Sequence, residues 1–232
     1  MTTATLTGTD VRLRNFVVRE LDWDPDVDAS AIGVAAKDGV VTLTGFVDTY
    51  AGKLAAERVA KRVRGVRAVA NDVTVRLTVE RTDADIAADA AAALKLLTTV
   101  ADKAQITVHH GHVTLTGKVQ WLTQRQSAEA AVHHIPGVRA VVNYIEVSPK
   151  PALRDVHRRI VAALHRNADI DARNIRVDVA GDVVTLTGTV VSWTERDAAE
   201  RGAAGAPGIR RIDNRILVAP AALDDVDEFE IC

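Results

Sequence analysis

The stretch VTLTGFV at residues 41–47 returns as VTLTGKV at 113–119 and as VTLTGTV at 184–190. The landmarks around it recur as well. Gly45, Gly117 and Gly188 are spaced 72 and 71 residues apart, and so are Gly65, Gly137 and Gly208, and Asn71, Asn143 and Asn214. A unit of about 70 residues is therefore present three times, and a period of this kind governs the architecture before any local propensity does.

The heptapeptide reads as a strand with period two, Val, Leu, Gly and Val on one face and the Thr residues on the other. A short run of alternation precedes it in each copy: Ile32 and Val34, Ile106 and Val108, and Ile175, Val177 and Val179. Between the two runs stand Asp38-Gly39, His110-Gly111 or Gly181-Asp182, dipeptides suited to a tight hairpin turn. The Gly on the apolar face has no side chain to pack, so the sequence predicts that it lets a helix approach the sheet closely.

Upstream of each hairpin lies an amphipathic helix. Its stripe is Leu13, Phe16, Val17 and Leu21 in the first copy, Ile86, Ala90, Ala93, Leu94 and Leu97 in the second, and Val156, Ile160, Ala163 and Leu164 in the third. Thr9 or Asp10 and Asp83 are the expected caps. Downstream a second helix is expected over 53–64, 125–134 and 195 to about 204, ended by Gly65, Gly137 and Gly208. A last alternating strand completes the unit through Val69, Val73 and Val75, through Val141, Ile145 and Val147, and through Ile212, Ile216 and Val218. Gly202 and Gly205 lie within or beside the last of these helices and make the third copy the expected weakest, because an interior Gly costs about 1 kcal/mol against Ala.

The fold class that follows is α+β: three tandem α-β-β-α-β domains, each a three-stranded mixed sheet with two helices on one face. Expected bounds are 1–78, 83–148 and 152–220, with linkers at 78–83 and 148–151 and an acidic tail at 221–232. Units this small are near the lower limit for independent folding, so the repeats are expected to lean on one another or to be individually marginal.

Net charge is -2, but residues 1–220 carry +3 and the last twelve carry -5. The tail is expected to be disordered and could screen a basic surface. No apolar run approaches the length of a membrane span and the first ten residues do not resemble a secretory signal, so the chain reads as soluble and cytoplasmic, or periplasmic if a leader precedes it. Cys232 is the sole cysteine, which excludes an internal disulfide.

The pattern Gly-x-Val-x-Leu-x-Gly-x-Val at Gly39–Val47, Ala56-Glu57, Gly65-Val66, Val69, Asn71, Val73 and Val75 resembles the BON domain family, named for bacterial osmotically inducible and nodulation proteins. The second copy matches through Gly111–Val119, Ala128-Glu129, Gly137-Val138, Val141, Asn143, Ile145 and Val147. The third matches through Val184–Val190, Ala199-Glu200, Gly208-Ile209, Ile212, Asn214, Ile216 and Val218. The resemblance, which extends to bacterial stress proteins of the osmotically inducible protein Y type, implies a non-catalytic domain that binds phospholipid or protein partners. A cytoplasmic relative that senses potassium pairs one such domain with a second module that this chain lacks.

Candidate contact residues are few. Lys53, Arg58, Lys61, Arg62 and Arg64 on the second helix, with Arg67 beyond it, face only Glu57, a pattern suited to anionic headgroups or an acidic partner, and equally to a solvated outer face. Trp121 and Trp193, with Tyr50 in the column of Trp193, sit at a strand-to-helix corner where an aromatic can pack repeat on repeat or anchor at an interface. His109, His110, His112, His133 and His134 crowd the second repeat, but their spacing and the lack of a completing Cys or carboxylate do not make a metal site. No phosphate loop, nucleophile elbow or recurring carboxylate pair is present, so no catalysis and no cofactor are expected, and nucleic acid is not an expected partner. The leading expectation is a stress-associated adaptor for anionic phospholipid or a protein. The alternatives are a potassium-binding sensor and a self-associating scaffold.

Overall fold

The structure, a computed structural model, describes residues 8–76, 81–148, 155–167 and 172–219. The acidic tail, half of the first linker and most of the second lie outside the described residues.

Each repeat has the expected order. The first comprises α1 (Gly8–Trp23), β1 (Ile32–Lys37), β2 (Val40–Val47), α2 (Tyr50–Arg62) and a third strand split into β3 (Ala68–Asn71) and β4 (Thr74–Val75). The second comprises α3 (Asp83–Leu96), β5 (Ala104–His109), β6 (His112–Val119), α4 (Leu122–Val132) and β7 (Ala140–Val147). The third comprises α5 (Val156–Arg166), β8 (Ile175–Ala180), β9 (Val183–Val190), α6 (Trp193–Ala204) and β10 (Arg211–Val218). In every sheet the heptapeptide strand is central, antiparallel to its hairpin partner and parallel to the last strand. One face of the sheet meets both helices: Val41, Leu43 and Val47 are buried with Leu13, Val17, Leu21, Ala55, Ala56 and Val59.

The second helices begin two or three residues earlier than their apolar stripes suggest, and caps explain it. The Thr49 hydroxyl accepts from Gly52 N at 3.0 Å, and Ser192 Oγ accepts from Glu195 N at 3.1 Å while the Glu195 carboxylate accepts from Val191 N at 3.0 Å. In α4, Gln124 Oε1 accepts from both Gln120 N and Trp121 N at 3.0 Å. The Thr49 and Ser192 hydroxyls each satisfy a free N–H of the first turn, while the Gln124 and Glu195 side chains reach back to N–H groups just before their helices. The first helices are tied to the hairpins in the same currency of backbone donors. Asp10 Oδ1 accepts from Asp38 N at 2.8 Å, and Asp83 accepts from His110 N at 2.8 Å and Gly111 N at 2.9 Å. Those two backbone bonds hold the Asp83 carboxyl below its ordinary range.

The heptapeptide glycine does something other than admit a helix. Gly45, Gly117 and Gly188 have φ of +108°, +136° and +136°, and a Cβ on each would overlap a backbone carbonyl oxygen, that of Ala31, Lys103 and Asn174 respectively. The glycine gives way to the chain as it enters the first strand, a conformation and an approach that an L side chain excludes. The residue on which helices do meet closely is Gly202, where a Cβ would stand 3.0 Å from Leu164 Cδ2 of α5.

The repeated Asn is a polar staple between the second helix and the last strand. Asn143 Nδ2 donates to Arg125 O at 2.9 Å and to Glu129 Oε2 at 3.0 Å, and its Oδ1 accepts from Ile145 N at 3.1 Å. Asn71 makes the same bonds to Lys53 O, Glu57 and Val73 N, and Asn214 to Arg196 O, Glu200 and Ile216 N. Replacing Asn143 by Ala removes three half-buried bonds and leaves their partners unsatisfied. We expect a loss of about 2–4 kcal/mol in urea unfolding, an unchanged midpoint being the contrary result.

The three repeats close on one another with cyclic regularity. Tyr50 of the first repeat packs on the second, its ring edge-on to His133 at 5.4 Å, and it bonds the backbone at Val141. Ala204 and Ile212 of the third repeat join the core of the second, which contains Leu122. Trp193 of the third repeat joins the core of the first beside Val69, with Lys61 Nζ 5.2 Å from its ring centroid. The same columns recur at each junction: 50, 122 and 193 on one side, 61, 133 and 204 with 69, 141 and 212 on the other. Head-to-tail contacts that return to their start make a closed ring of three, built within one chain.

Candidate functional site

Ring closure draws several of the sequence-selected residues into structural work. Lys61 bonds Glu57 at 2.6 Å and covers the face of Trp193. Arg58 pairs with Asp26 at 3.0 Å, both side chains well exposed, and Arg62 pairs with Asp24. Lys53 is half-buried and contributes its charge to Glu57, while Arg64 is exposed. Burial pushes the Glu57 carboxyl up, but the bond and charge of Lys61, with Asn71 and Lys53, outweigh it and hold the group below its ordinary range. Asp26 and Asp24, the acids from the loop after α1, lie 32 and 38 residues before their partners Arg58 and Arg62, and no spacing along α2 could announce them.

The tryptophans divide. Trp193 is half-buried in the junction between the third and first repeats, and its Nε1 is buried with no acceptor among the described residues. Trp121 is 39% exposed at the start of α4, and Trp23, at the end of α1, is 85% exposed. Beside Trp193, burial pushes the Asp197 carboxyl up against the pull of Lys61 and Arg196.

The histidines also separate. His109 and His110 stack edge-on at 4.2 Å by the hairpin turn, whereas His133 lies at the Tyr50 junction with its Nε2 3.9 Å from Glu129. The His133 imidazole is the main influence holding the Glu129 carboxyl down, against burial and in concert with Asn143 and Arg125. Among the described residues no group of three or more His, Cys, Asp and Glu is placed to hold a metal ion, and no helix is long and apolar enough to cross a membrane.

Among the described α-helices α5 is the one without an acid of its own, and beyond its apolar stripe it presents a basic surface. Val156, Ile160 and Leu164 are buried, and the opposite side exposes His157, Arg158, Arg159, His165 and Arg166 with no acid anywhere in the helix. Its sole ion pair among the described residues joins Arg158 to Asp155 at 2.7 Å, with side chains 77% and 54% exposed, a setting in which such a pair contributes little. The signal was present in the sequence as an acid-free helix, VHRRIVAALHR, whereas α2 contains Glu57.

The helix macrodipole favours His165 and Arg166 in the last turn, so their position has an ordinary structural reason. It disfavours Arg158 and Arg159 in the first turn, where the N-cap residue Asp155 pairs with Arg158 and leaves Arg159 without an acid of its own among the described residues.

A model of the BON domain family matches residues 9–76, 82–149 and 154–220. The chain belongs to the BON domain family. Membership suggests a non-catalytic role in stress or in binding membranes or proteins. Among solved structures, CdsD, a structural protein of the type III secretion system of Chlamydia trachomatis, is similar at 14% identity and a TM-score of 0.26, covering 90% of this chain and 93% of that one. The C-terminal domain of CdsD is similar at the same identity and TM-score, covering 90% of this chain and 98% of its own. A likeness at that score carries no functional argument. A comparison with curated proteins finds no match.

Proposed function

We propose that this BON protein is a non-catalytic binding protein that docks on anionic phospholipid surfaces, and that α5 is the principal contact. The supporting observation is the exposed basic first turn of α5, maintained against the macrodipole in a helix without a single acid. Such a helix face is attracted to an anionic leaflet by about 1 kcal/mol per basic side chain near the surface. The basic set expected on α2 contributes less, since Lys61 and Arg62 are held by the partly buried Glu57 and Asp24, while Arg58 is in an exposed pair with Asp26 like that of Arg158 with Asp155. Arg64 and Trp121 remain exposed and available for a secondary contact.

The test is sedimentation with vesicles of phosphatidylglycerol in phosphatidylcholine against phosphatidylcholine alone. Binding is expected to be specific to the anionic vesicles and to fall with salt. Joint replacement of Arg159 and Arg166 by Glu should weaken it by about 2 kcal/mol or more, roughly thirtyfold. Reversal of Arg58 and Arg62 should have a smaller effect. Equal binding to neutral and anionic vesicles, or none to either, refutes the reading.

A further inference from the structure

A cleft of about 640 Å³ opens at the junction of the second and third repeats, lined by Arg125, the edge strand β7 from Asn143 to Val147 and the following Ser148 on one side, and by Arg210 and Arg211 on the other. We infer that this cleft is a binding site for a phosphate-type oxyanion, held by Arg125, Arg210 and Arg211. The inference is independent of the α5 surface.

The first argument is donor accounting. A guanidinium carries five N–H donors. Arg125 places one hydrogen bond, Nη2 to Asn143 O at 3.0 Å, and its Nε is buried with no acceptor among the described residues. Arg210 uses two nitrogens on Asp182, at 2.9 and 3.5 Å. The Arg211 side chain is exposed and makes no hydrogen bond or ion pair among the described residues, acting on Asp213 only through longer-range charge. Three planar donors thus border one cavity with most of their capacity unused, and guanidinium forks match the oxygens of a phosphate group. The Ser148 and Tyr144 hydroxyls, on the same wall, can add hydrogen bonds. Glu146 opposes an anion there, but it is paired with Lys118 at 3.3 Å and both are well exposed.

The second argument comes from comparing the copies. In the third repeat the counterpart of Arg125 is Arg196, which is satisfied within its own domain: Nε donates to Ile216 O at 3.1 Å and Nη2 to Asn214 O at 2.8 Å, over the ring of Trp193. In the first repeat the counterpart is Lys53, which has no fork. Arg210 has counterparts in Arg67 and Arg139, but the column of Arg211 holds Ala68 and Ala140 in the other repeats. The junction of the second and third repeats therefore combines an incompletely bonded arginine with a second arginine that its two sister junctions lack. A charge added at one of three equivalent places, beside a donor left without an acceptor, is what an anion site requires and what the fold does not. Sites of this kind form at domain junctions.

Thermal unfolding of the full chain, titrated with inorganic phosphate against chloride at equal ionic strength, tests this. A saturable, phosphate-specific rise in Tm is expected. Arg211→Ala should weaken the apparent affinity at least about tenfold while leaving the Tm in chloride unchanged, because the side chain makes no structural bond. Arg125→Lys, which keeps the charge and a donor for Asn143 O but loses the fork, should weaken it as well. Vesicles containing phosphatidic acid form the second arm. Competition between vesicles and phosphate, lost in Arg211→Ala, would identify a lipid headgroup as the source of the group, and phosphate binding untouched by vesicles would identify the free anion. Phosphate that stabilises no more than chloride, or an Arg211→Ala protein with the full phosphate response, overturns the inference.

Discussion

Replacing Gly117 by alanine is expected to destabilise the second repeat by about 3 kcal/mol or more, enough to lower its unfolding transition well below those of its neighbours. Two costs combine. The backbone at Gly117 has φ of +136°, which an L residue adopts only with strain, and the new Cβ would overlap the carbonyl oxygen of Lys103, so the start of β5 must move. The carbonyl cannot rotate away without loss, because it accepts from Lys118 N at 3.1 Å. A contrasting substitution separates this from a general intolerance of glycine replacement. Gly181, in the third hairpin turn, has φ of +61° with nothing within 4 Å of a Cβ, so Gly181→Asn should cost under about 1 kcal/mol. Urea unfolding of both variants measures the difference. Equal stabilities would show that the close approach at Gly117 is not real.

Trp193→Ala is expected to cost about 2–4 kcal/mol, somewhat less than truncation of a fully buried tryptophan, and to uncouple the third repeat from the first. The side chain fills the junction against the core of the first repeat and is the face on which Lys61 rests. Calorimetry should then show a broader or divided transition in place of a cooperative one. The buried Nε1 without an acceptor makes Trp193→Phe informative: it keeps the aromatic face for Lys61 and removes a donor whose lack of a partner costs about 1–3 kcal/mol. That variant should be as stable as the parent or more so. If Ala and Phe behave alike and neither alters stability, the ring does not depend on this junction.

The cyclic arrangement explains why the copies diverge where they do. At positions 61, 133 and 204 stand Lys, His and Ala, and at 50, 122 and 193 stand Tyr, Leu and Trp. Each pair was chosen for its own junction: a cation over an indole, an imidazole against a phenol edge, and an apolar contact. The aromatics at 50 and 193 point to repeat-on-repeat packing in the sequence, but their partners, 83 and 132 residues distant, become legible only in the structure.

Much of the fold was readable because its causes are local. Alternation in 41–47 and its copies, turn dipeptides, and a 3.6-residue stripe determine strand, turn and helix over a few residues, and threefold repetition confirmed each assignment twice. The early starts of α2, α4 and α6 were missed where a cap outweighed the apolar stripe. The Ser192-x-x-Glu195 capping box was nevertheless present in the sequence. The heptapeptide glycine was misread because its constraint comes from a carbonyl 14 residues upstream, brought over it by the hairpin. The charge on α2 was visible in the sequence, but its neutralisation by Asp24 and Asp26 was not.

The sequence by itself determined the identity of the fold, its threefold repetition and the family, since burying one face of a hairpin under two helices is encoded by patterns within each unit. The tertiary structure decided which of the basic and aromatic side chains are consumed in closing the ring and which remain outside. Exposure and ion pairing depend on groups far apart in the chain, and their energies are set by distance in space. That is why the Arg211 cleft emerged only when the repeats were seen together, whereas the acid-free basic face of α5 lies within one continuous segment.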